Sequence, residues 1–276
     1  MKHSFKIGVV GHGFVGKAVA HGFQNCDLTI ADPLLGTSTQ DILRANPSVV
    51  FICVPTPMGD DGIIDASIVE KVLTELEPLQ TLMVLKSTVI PDIVKKLSAR
   101  FRHFVYNPEF LTERNAEHDF EYPQLHVFGG HQEDTHYLAK IYREYSICNP
   151  CPEHHMTAVE ASFVKYGINS FLSTKISFWN QYEQLCSANG ADYDTVRRAI
   201  GEDVRIGASH MMVPGHDGRR GFGSACFSKD VPALIHFSDK HLSILREAWN
   251  VNVDIRNQYS ELLEREVAQN ISFKKI

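Results

Sequence analysis

The stretch IGVVGHGFVG, residues 7–16, decides the fold of the first half of the chain. Its first four residues form a short apolar run that is typical of a buried strand, and a helical pattern follows the glycines. Gly11, Gly13 and Gly16 permit a tight turn, close approach of a phosphate to the backbone, and close packing of helix on strand. The stretch therefore predicts a strand, a turn and a helix whose N-terminus can receive phosphates.

An acidic residue completes this pattern. Asp32 ends the second predicted strand, 21 residues after Gly11. A carboxylate at this position can accept hydrogen bonds from both hydroxyls of a ribose and would repel a 2′-phosphate. Phe14 and Val15 lie at the start of the helix, where backbone N–H groups can donate to a phosphate. A glycine turn without a ligand is the alternative, but the full pattern favours a dinucleotide, NAD rather than NADP.

The first 150 residues alternate short apolar runs with helical patterns. The apolar runs are continuous, as expected for strands of a parallel sheet that is covered on both faces. The predicted strands are Ile7–Val10, Leu28–Ala31, Val49–Val54, Leu82–Lys86, Phe104–Tyr106 and a run near Leu125–Phe128, with helices at about 14–24, 40–45, 66–77, 92–101 and 132–145. This rhythm predicts a Rossmann-like, doubly wound parallel α/β domain over residues 1–150.

After a linker at Cys148–Pro152 the pattern becomes helical. Residues 154–189 contain no proline and few other breakers, which predicts one long helix. The features that follow are a short helix capped by Asp192, a loop rich in Gly and Pro at Val213–Gly223, and helices at about 229–238 and 241–268. Residues 151–276 are therefore predicted to form an all-α domain around a long central helix.

Composition excludes several classes of function. A net charge of −6 and a pI near 6.1 give no electrostatic footprint for nucleic acid. No stretch approaches the roughly 20 apolar residues that cross a bilayer, and the apolar run near the N-terminus is too short for a signal peptide. Cys148 and Cys151, with His154 and His155, form only half of a zinc site. We therefore expect a cytoplasmic protein with reduced cysteines and no metal.

Polar segments follow three successive predicted strands. Pro55 and Thr56 come after the third strand, Thr88 after the fourth, and Glu109 after the fifth. Ligands of open α/β sheets bind at the carboxyl ends of strands. Ordinary loop chemistry would explain each segment alone, and their shared position favours a binding site.

Two positions in the second half carry possible chemistry. Lys165 and Asn169 are four residues apart and share a face of the predicted long helix, so the pair can polarise a substrate oxygen, while a lysine that extends to solvent is the alternative. Cys226 leaves a glycine-rich loop and enters a helix, with Lys229 and Asp230 close behind. The helix N-terminus and Lys229 would favour its thiolate, while a buried structural cysteine is the alternative.

Seven stretches, in order along the chain, resemble the UDP-glucose/GDP-mannose dehydrogenase family, the nucleotide-sugar 6-dehydrogenases. They are GVVGHGFVGKAVA (8–20), VPTPMGDDGIID (54–65), KSTVIP (86–91), NPEFLTERNAEHDF (107–120), VKYGINSFLSTKISFWN (164–180), DVRIG (203–207) and VPGHDGRRGFGSACFSKDVPAL (213–234). The resemblance implies two NAD-dependent oxidations that convert the C6 alcohol of a sugar nucleotide to a carboxylate.

The resemblance also implies roles for individual residues. Cys226 would capture the aldehyde as a thiohemiacetal, whose oxidation gives a thioester. Lys165 and Asn169 would stabilise the oxyanion, and Asp230, with Thr88 and Glu113, would handle the hydrolytic water. The residues implied to contact the cofactor are Pro55, Thr56, Thr88, Glu109 and Lys229. Those implied to contact the substrate are Glu109, Phe110, Leu111, Lys165, Asn169 and Gly223. Arg205 would reach the substrate of a partner subunit, and the long helix would form the core of a homodimer.

The sequence departs from the family pattern in several places. Ser224 replaces the second glycine of the loop before the cysteine, Ser228 replaces a proline, and Ser162 stands where the family has glutamate. Family members also carry a second α/β domain after the central helices, whereas this sequence stops at Ile276. This difference predicts fewer contacts to the nucleotide, contacts supplied by another chain, or a smaller substrate.

Two other functions fit the same residues. A single-step hydroxyacid dehydrogenase also joins a dinucleotide domain to helices with a Lys-x-x-x-Asn pair, but it needs no reactive cysteine in a glycine loop. A catalytically inactive subunit that binds NAD as a sensor or partner is the third hypothesis.

Overall fold

The computed structural model describes residues 5–59 and 61–276. Residues 1–4 of the predicted first domain, and Asp60 within the quoted stretch 54–65, lie outside the described residues. Contacts divide the chain into two compact units. The first unit runs to Thr56 and resumes over Asp65–Lys165, and the second combines Pro57–Ile64 with Tyr166–Ile276. The predicted boundary at residue 150 stays a prediction.

The first unit is built on a seven-stranded sheet with the order β2-β1-β3-β4-β5-β6-β7. The strands are β1 (Lys6–Val10), β2 (Asp27–Ala31), β3 (Val49–Ile52), β4 (Leu82–Leu85), β5 (Phe104–Tyr106), β6 (His126–Gly130) and β7 (Glu153–Met156). Its helices are α1 (Phe14–Gly22), α2 (Thr39–Ala45), α3 (Ser67–Leu76), α4 (Pro91–Arg100), α5 (Ala116–Glu121) and α6 (Gln132–Tyr145). The predicted α/β fold is confirmed.

Apolar side chains on both faces explain why this sheet forms. β3 and β4 are buried at every residue, so each contributes side chains to two separate apolar cores, one on each face of the sheet. Burial of this kind is the main favourable contribution to folding. The expectation of an entirely parallel sheet is wrong at one place, because β5 and β6 pair antiparallel. β7, which pairs parallel with β6, was not predicted, because Glu153–Met156 has no apolar run.

The second unit is helical. The boundary between the units falls within α7 (Ala158–Ala188), after Lys165. The predicted long helix is confirmed, but the prediction of helix from His154 is wrong, because His154–Met156 pair with β6 as part of β7. The helices that follow are α8 (Tyr193–Gly201), α9 (Phe227–Ser238), α10 (Ser243–Arg256) and α11 (Glu264–Ala268). Asp192 caps α8 as predicted, by accepting hydrogen bonds from the backbone N–H groups of Asp194 and Thr195.

The prediction of one helix over 241–268 is wrong. The helix ends at Arg256, and an irregular segment separates it from α11. In that segment the Tyr259 hydroxyl accepts a hydrogen bond from the Arg220 backbone N–H, and the Glu261 carbonyl accepts one from the Arg219 guanidinium. These tertiary contacts outweigh a helical propensity that contributes only tenths of a kcal/mol per residue.

Among residues 5–59 and 61–276, no helix combines the length and the apolar character that a membrane span requires.

Candidate active site

The glycine turn after β1 has the geometry that its sequence predicts. Gly11 has φ +87°, and a Cβ there would lie 2.6 Å from the Cys53 carbonyl oxygen. A Cβ at Gly16 would lie 1.9 Å from the Gly11 carbonyl oxygen, so helix and strand pack at a distance that only glycine allows. Space around Gly13, the N-cap residue of α1, is open. The turn therefore places a helix N-terminus next to open space, which suits a pyrophosphate.

Asp32 follows β2 and fixes the shape of the turn. Its Oδ2 accepts a hydrogen bond of 2.6 Å from the His12 backbone N–H, and its Oδ1 accepts one of 2.8 Å from the Leu34 backbone N–H. β1 lies between β2 and β3, so the chain reverses its winding direction at this point of the sheet. Such a switch point is where doubly wound sheets bind their ligands, and the residues present fit a dinucleotide.

The predicted polar residues after β3 and β4 occupy the same edge of the sheet. Thr56 and Thr88 are 3% and 7% exposed, whereas Pro55 is exposed. The Ser87 hydroxyl donates a 2.7 Å hydrogen bond to the Val54 carbonyl and so ties the two loops together. The structure therefore brings these residues to the carboxyl edge that the sequence predicts.

Lys165 forms a buried ion pair within the first unit. Its Nζ donates to the Glu109 carbonyl oxygen at 2.7 Å and lies 3.2 Å from Glu109 Oε1. Glu109 Oε2 accepts a hydrogen bond from the Leu111 backbone N–H, and Lys165 Nζ lies 5.4 Å from the centre of the Phe110 ring. Lys165 is 3% exposed, so it does not extend to solvent. Glu109 and Phe110 thus contact the Lys165 amine, and the Leu111 backbone holds the Glu109 carboxylate.

Lys86 is a second buried amine in the first unit. Lys86 Nζ donates to Asn107 Oδ1 at 2.9 Å, and the Tyr142 hydroxyl donates to the same oxygen at 2.9 Å. Burial lowers the pKa of Lys86 from 10.5 to about 8. Tyr142 has no signature in the sequence, because it reaches Lys86 from 56 residues away.

In the second unit, a polar cluster surrounds Asp230. Its Oδ2 accepts a hydrogen bond of 2.7 Å from Asn169 Nδ2, and its Oδ1 lies 2.7 Å from Lys229 Nζ. The carboxylate is fully buried, so these two donors compensate its loss of water. Cys226 is the N-cap residue of α9 and is partly exposed. One helix turn therefore carries a thiol, an ammonium and a carboxylate.

The loop before Cys226 has left-handed backbone at three places, the first of which is Gly218 with φ +75°. Gly221 has φ +74°, and Ser224, which replaces a glycine of the family pattern, has φ +75°. Serine adopts this conformation at a cost that glycine avoids. Ser228, which replaces a proline, is completely buried in the first turn of α9. Both departures thus lie within two residues of the thiol.

The remaining predicted residues have simpler surroundings. Arg205 is exposed and pairs with Asp203, whose Oδ2 lies 2.6 Å from Arg205 Nη2. Glu113 is partly exposed in the loop after β5. Gly223 is buried beside the Arg256 guanidinium, a contact that no sequence pattern indicates.

Cys148 and Cys151 do not form part of a metal cluster in the described residues, which contain no group of three or more His, Cys, Asp or Glu side chains suited to a metal. Cys148 Sγ lies 3.3 Å from His126 Nε2. Burial raises the pKa of the Cys148 thiol to about 12 and lowers that of His126 to about 4. Both groups are therefore neutral near pH 7.

Comparison with known sequences places the chain in a family. Residues 34–146 match the NAD binding domain of the UDP-glucose/GDP-mannose dehydrogenase family, and residues 159–254 match its central domain. The chain belongs to the UDP-glucose/GDP-mannose dehydrogenase family. Its cofactor is NAD, since the chain carries the family's NAD-binding domain.

Individual relatives agree with this assignment. A UDP-glucose 6-dehydrogenase of Pseudomonas aeruginosa is 36% identical over 212 residues, which are 71% of this chain and 46% of that protein. The chain spans about half the length of the curated relatives it matches. The structure of a UDP-glucose dehydrogenase from Pyrobaculum islandicum superimposes with a TM-score of 0.76 at 28% identity, over 91% of this chain and 68% of that one.

A second fold likeness covers both chains almost completely. The 3-hydroxyisobutyrate dehydrogenase of Mycobacterium tuberculosis superimposes with a TM-score of 0.69 over 98% of this chain and 97% of that one. At 14% identity this likeness shows a shared fold alone.

Proposed function

We propose that the chain is a nucleotide-sugar 6-dehydrogenase that oxidises the C6 alcohol of a UDP-glucose-like substrate to a carboxylate. The observation that carries the proposal is the first turn of α9, where Cys226 lies at the N-cap and the buried Asp230 carboxylate is held by Asn169 and Lys229. A single oxidation of an alcohol needs no thiol, whereas oxidation through to an acid gains from a covalent acyl intermediate.

The proposed reaction converts one alcohol, two NAD⁺ and one water to a carboxylate, two NADH and three protons. The first oxidation removes hydride from C6 and a proton from the hydroxyl. The Cys226 thiol then adds to the aldehyde carbon and forms a C–S bond. The second oxidation removes the remaining C6 hydride and the proton of the thiohemiacetal hydroxyl, and gives a thioester. Water attacks the thioester, the C–S bond breaks, and the thiol is released. Bound NAD supplies the hydride acceptor for both oxidations.

In this proposal Asp230 accepts the proton of the attacking water, with Thr88 and Glu113 as further groups that position it. Lys165 and Asn169 donate hydrogen bonds to the oxygen of the tetrahedral intermediates. Their side chains are buried, which strengthens such interactions by excluding water.

The same proposal assigns binding residues. The backbone at Gly11, Gly13, Phe14, Val15 and Gly16 would hold the pyrophosphate of NAD, and Asp32 its ribose. Pro55, Thr56, Thr88, Glu109 and Lys229 would border the cofactor, while Glu109, Phe110, Leu111 and Gly223 would contact the sugar nucleotide. We retain residues 1–150 as the NAD-binding domain and 151–276 as the helical domain.

We also propose a homodimer through α7. Phe171, Phe178 and Leu185 recur every seven residues along this helix and are 69%, 53% and 58% exposed. Three large apolar side chains in one exposed row are typical of a helix that packs against another. The exposed Arg205 would then be available to a substrate bound by the partner subunit.

The decisive experiment measures NADH formed per sugar consumed with a panel of nucleotide sugars. We expect two NADH per molecule of acid, and no acid from Cys226→Ala. Cys151→Ala is the matched control, because its thiol is also partly exposed but lies on the segment before β7.

Two outcomes would reject the proposal. One NADH per substrate, unaffected by Cys226→Ala, would identify a single-step dehydrogenase. Binding of NAD with no turnover of any nucleotide sugar would identify an inactive partner subunit.

A further inference from the structure

Arg256, at the end of α10, is a buried cation held by two carboxylates. Its Nη1 donates to Asp217 Oδ2 at 2.8 Å and its Nη2 to Glu266 Oε1 at 2.6 Å. The side chains of Arg256 and Glu266 are 1% and 0% exposed, whereas that of Asp217 is 27% exposed. Burial of charge is costly unless every group is paired, so this arrangement constrains its neighbours strongly.

Glu266 is engaged through both carboxylate oxygens. Oε1 accepts from Arg256, and Oε2 accepts a 2.8 Å hydrogen bond from the Leu263 backbone N–H at the start of α11. Charge-assisted bonds of this length are among the stronger ones in proteins. The carboxylate therefore links α11 to the end of α10.

The Arg256–Glu266 pair packs directly against the loop that leads to Cys226. A Cβ at Gly223 would lie 2.4 Å from Arg256 Nη2 and 2.4 Å from Glu266 Oε1, so the backbone of Gly223 rests against the ion pair without intervening atoms. Gly223 is three residues before Cys226. A displacement of the pair would thus move the backbone that carries the thiol.

Amide side chains hold the preceding two residues. Asn252 accepts from the Phe222 backbone N–H at 2.6 Å and donates to the Phe222 carbonyl at 2.9 Å. Asn180 accepts from the Gly221 backbone N–H at 2.9 Å. Gly221 and Phe222 are therefore held by buried amide side chains, and Gly223 packs against the ion pair.

We propose that Arg256 and Glu266 are positioning residues for the Cys226 nucleophile. They set the place of Cys226 through Gly223 and make no contact with the reacting atoms. Both lie beyond residues 159–254, which match the central domain of the family. The role in catalysis rests on the proposed function, whereas the constraint on the loop does not.

The test compares Glu266→Ala with the isosteric Glu266→Gln. Alanine removes both the acceptor for Arg256 and the atoms that pack against Gly223. Glutamine keeps the shape and one acceptor oxygen. If the ion pair positions the loop, the loop should be more mobile in Glu266→Ala and close to native in Glu266→Gln. If the charge of Glu266 alone stabilises this region, the two variants should behave alike, which would contradict the inference.

Hydrogen exchange and cysteine alkylation report on the loop without requiring activity. In Glu266→Ala we expect backbone amides of the peptide around 221–226 to exchange about tenfold faster or more, since loops held by fewer contacts open more often. We expect iodoacetamide to alkylate Cys226 at least about threefold faster. In Glu266→Gln both rates should stay within about twofold of the native chain.

Kinetics add the catalytic part of the test. For the most active nucleotide sugar, Glu266→Ala should lower kcat by about tenfold or more and leave KM within about threefold, because misplacement of a reacting group by an ångström costs rate rather than binding. Glu266→Gln should recover most of kcat.

Lys275→Ala is the control, because its ion pair with Asp254 is exposed and involves the same terminal segment. Unchanged exchange and alkylation in Glu266→Ala would overturn the inference. If the loop is more mobile in Glu266→Ala but the native chain turns over no nucleotide sugar, only the proposed function is rejected. If Glu266→Ala does not fold, Glu266→Asp replaces it, because the shorter side chain withdraws the carboxylate from Gly223, and a native exchange rate there would overturn the inference.

Discussion

At the scale of single residues, Lys86 shows how the fold changes the chemistry of a side chain. Its amine is almost completely removed from water, and its hydrogen bond to Asn107 does not replace full hydration. Loss of hydration disfavours the charged form, so the pKa falls from 10.5 to about 8. Lys86 is therefore close to losing its charge under mildly basic conditions.

We expect stability to depend on pH through this residue. Between about pH 8 and pH 10.5 the unfolded chain binds more protons at Lys86 than the folded chain. The free energy of unfolding should rise with pH across this window, by on the order of 3 kcal/mol in total, relative to Lys86→Met. Urea denaturation at pH 7 and pH 10 measures the difference.

Lys71→Met is the control for this measurement, because the Lys71 side chain is 75% exposed on α3. A constant stability difference between the native chain and Lys86→Met from pH 7 to pH 10 would contradict the assignment of a lowered pKa.

The sequence predicted residues with local signatures. Gly11, Gly16 and Asp32 were found because the turn and its acidic partner have fixed spacing along the chain. Asn252 and Glu266 were missed because the contacts that give them meaning join positions 30 and 10 residues apart, with no repeating pattern. Sequence spacing indicates side chains that bind nearby backbone in a known motif, but it does not indicate which side chains meet through tertiary packing.

At the scale of elements, α7 carries the row of Phe171, Phe178 and Leu185. Helical geometry places residues seven apart within about 20° of each other around the axis, so these side chains form one stripe. Exposure of such an apolar stripe to water is unfavourable, so its burial against a second helix would stabilise a dimer.

We expect Phe171→Glu with Phe178→Glu to convert a dimer to a monomer. A charge at either position would have to be buried in the interface without a partner, which is costly. Sedimentation velocity at micromolar concentration measures the mass. Ser187→Glu adds the same charge to an exposed position on the opposite side of the helix and should leave the mass unchanged.

A native chain that sediments as a monomer of 31.1 kDa would reject the dimer, whatever the variants do.

The elements also show where sequence patterns fail. β7 was missed because its residues, Glu153–Met156, are polar or amphipathic, and β6 supplies its pairing partner. The helix predicted over 241–268 is interrupted because Tyr259 and Glu261 bond to the loop at 219–220. In both cases hydrogen bonds to residues distant in the sequence decided the structure.

At the scale of the whole molecule, NAD should stabilise the folded chain. A ligand present at 100 times its Kd adds about 2.7 kcal/mol to the free energy of unfolding, which corresponds to a rise of several degrees in Tm. We expect NAD to produce this rise and NADP to produce less at equal concentration, because Asp32 would repel the 2′-phosphate.

Asp32→Ala should abolish most of the rise, whereas Asp27→Ala, an exposed change at the opposite end of β2, should preserve it. Differential scanning fluorimetry measures both. Equal stabilisation by NAD and NADP in the native chain would contradict the role of Asp32.

The sequence by itself determined the α/β class, the glycine turn with Asp32, the long helix and the place of Cys226 in a glycine loop. These features depend on hydrophobic periodicity and on short spacings between residues, and both are properties of the sequence that do not depend on tertiary packing. Tertiary structure alone decided that Asp230 lies between Asn169 and Lys229, that Lys86 is buried with Tyr142, and that Arg256 and Glu266 support Gly223. Buried charges must find partners wherever the packed chain supplies them, and no local pattern records which partners those are.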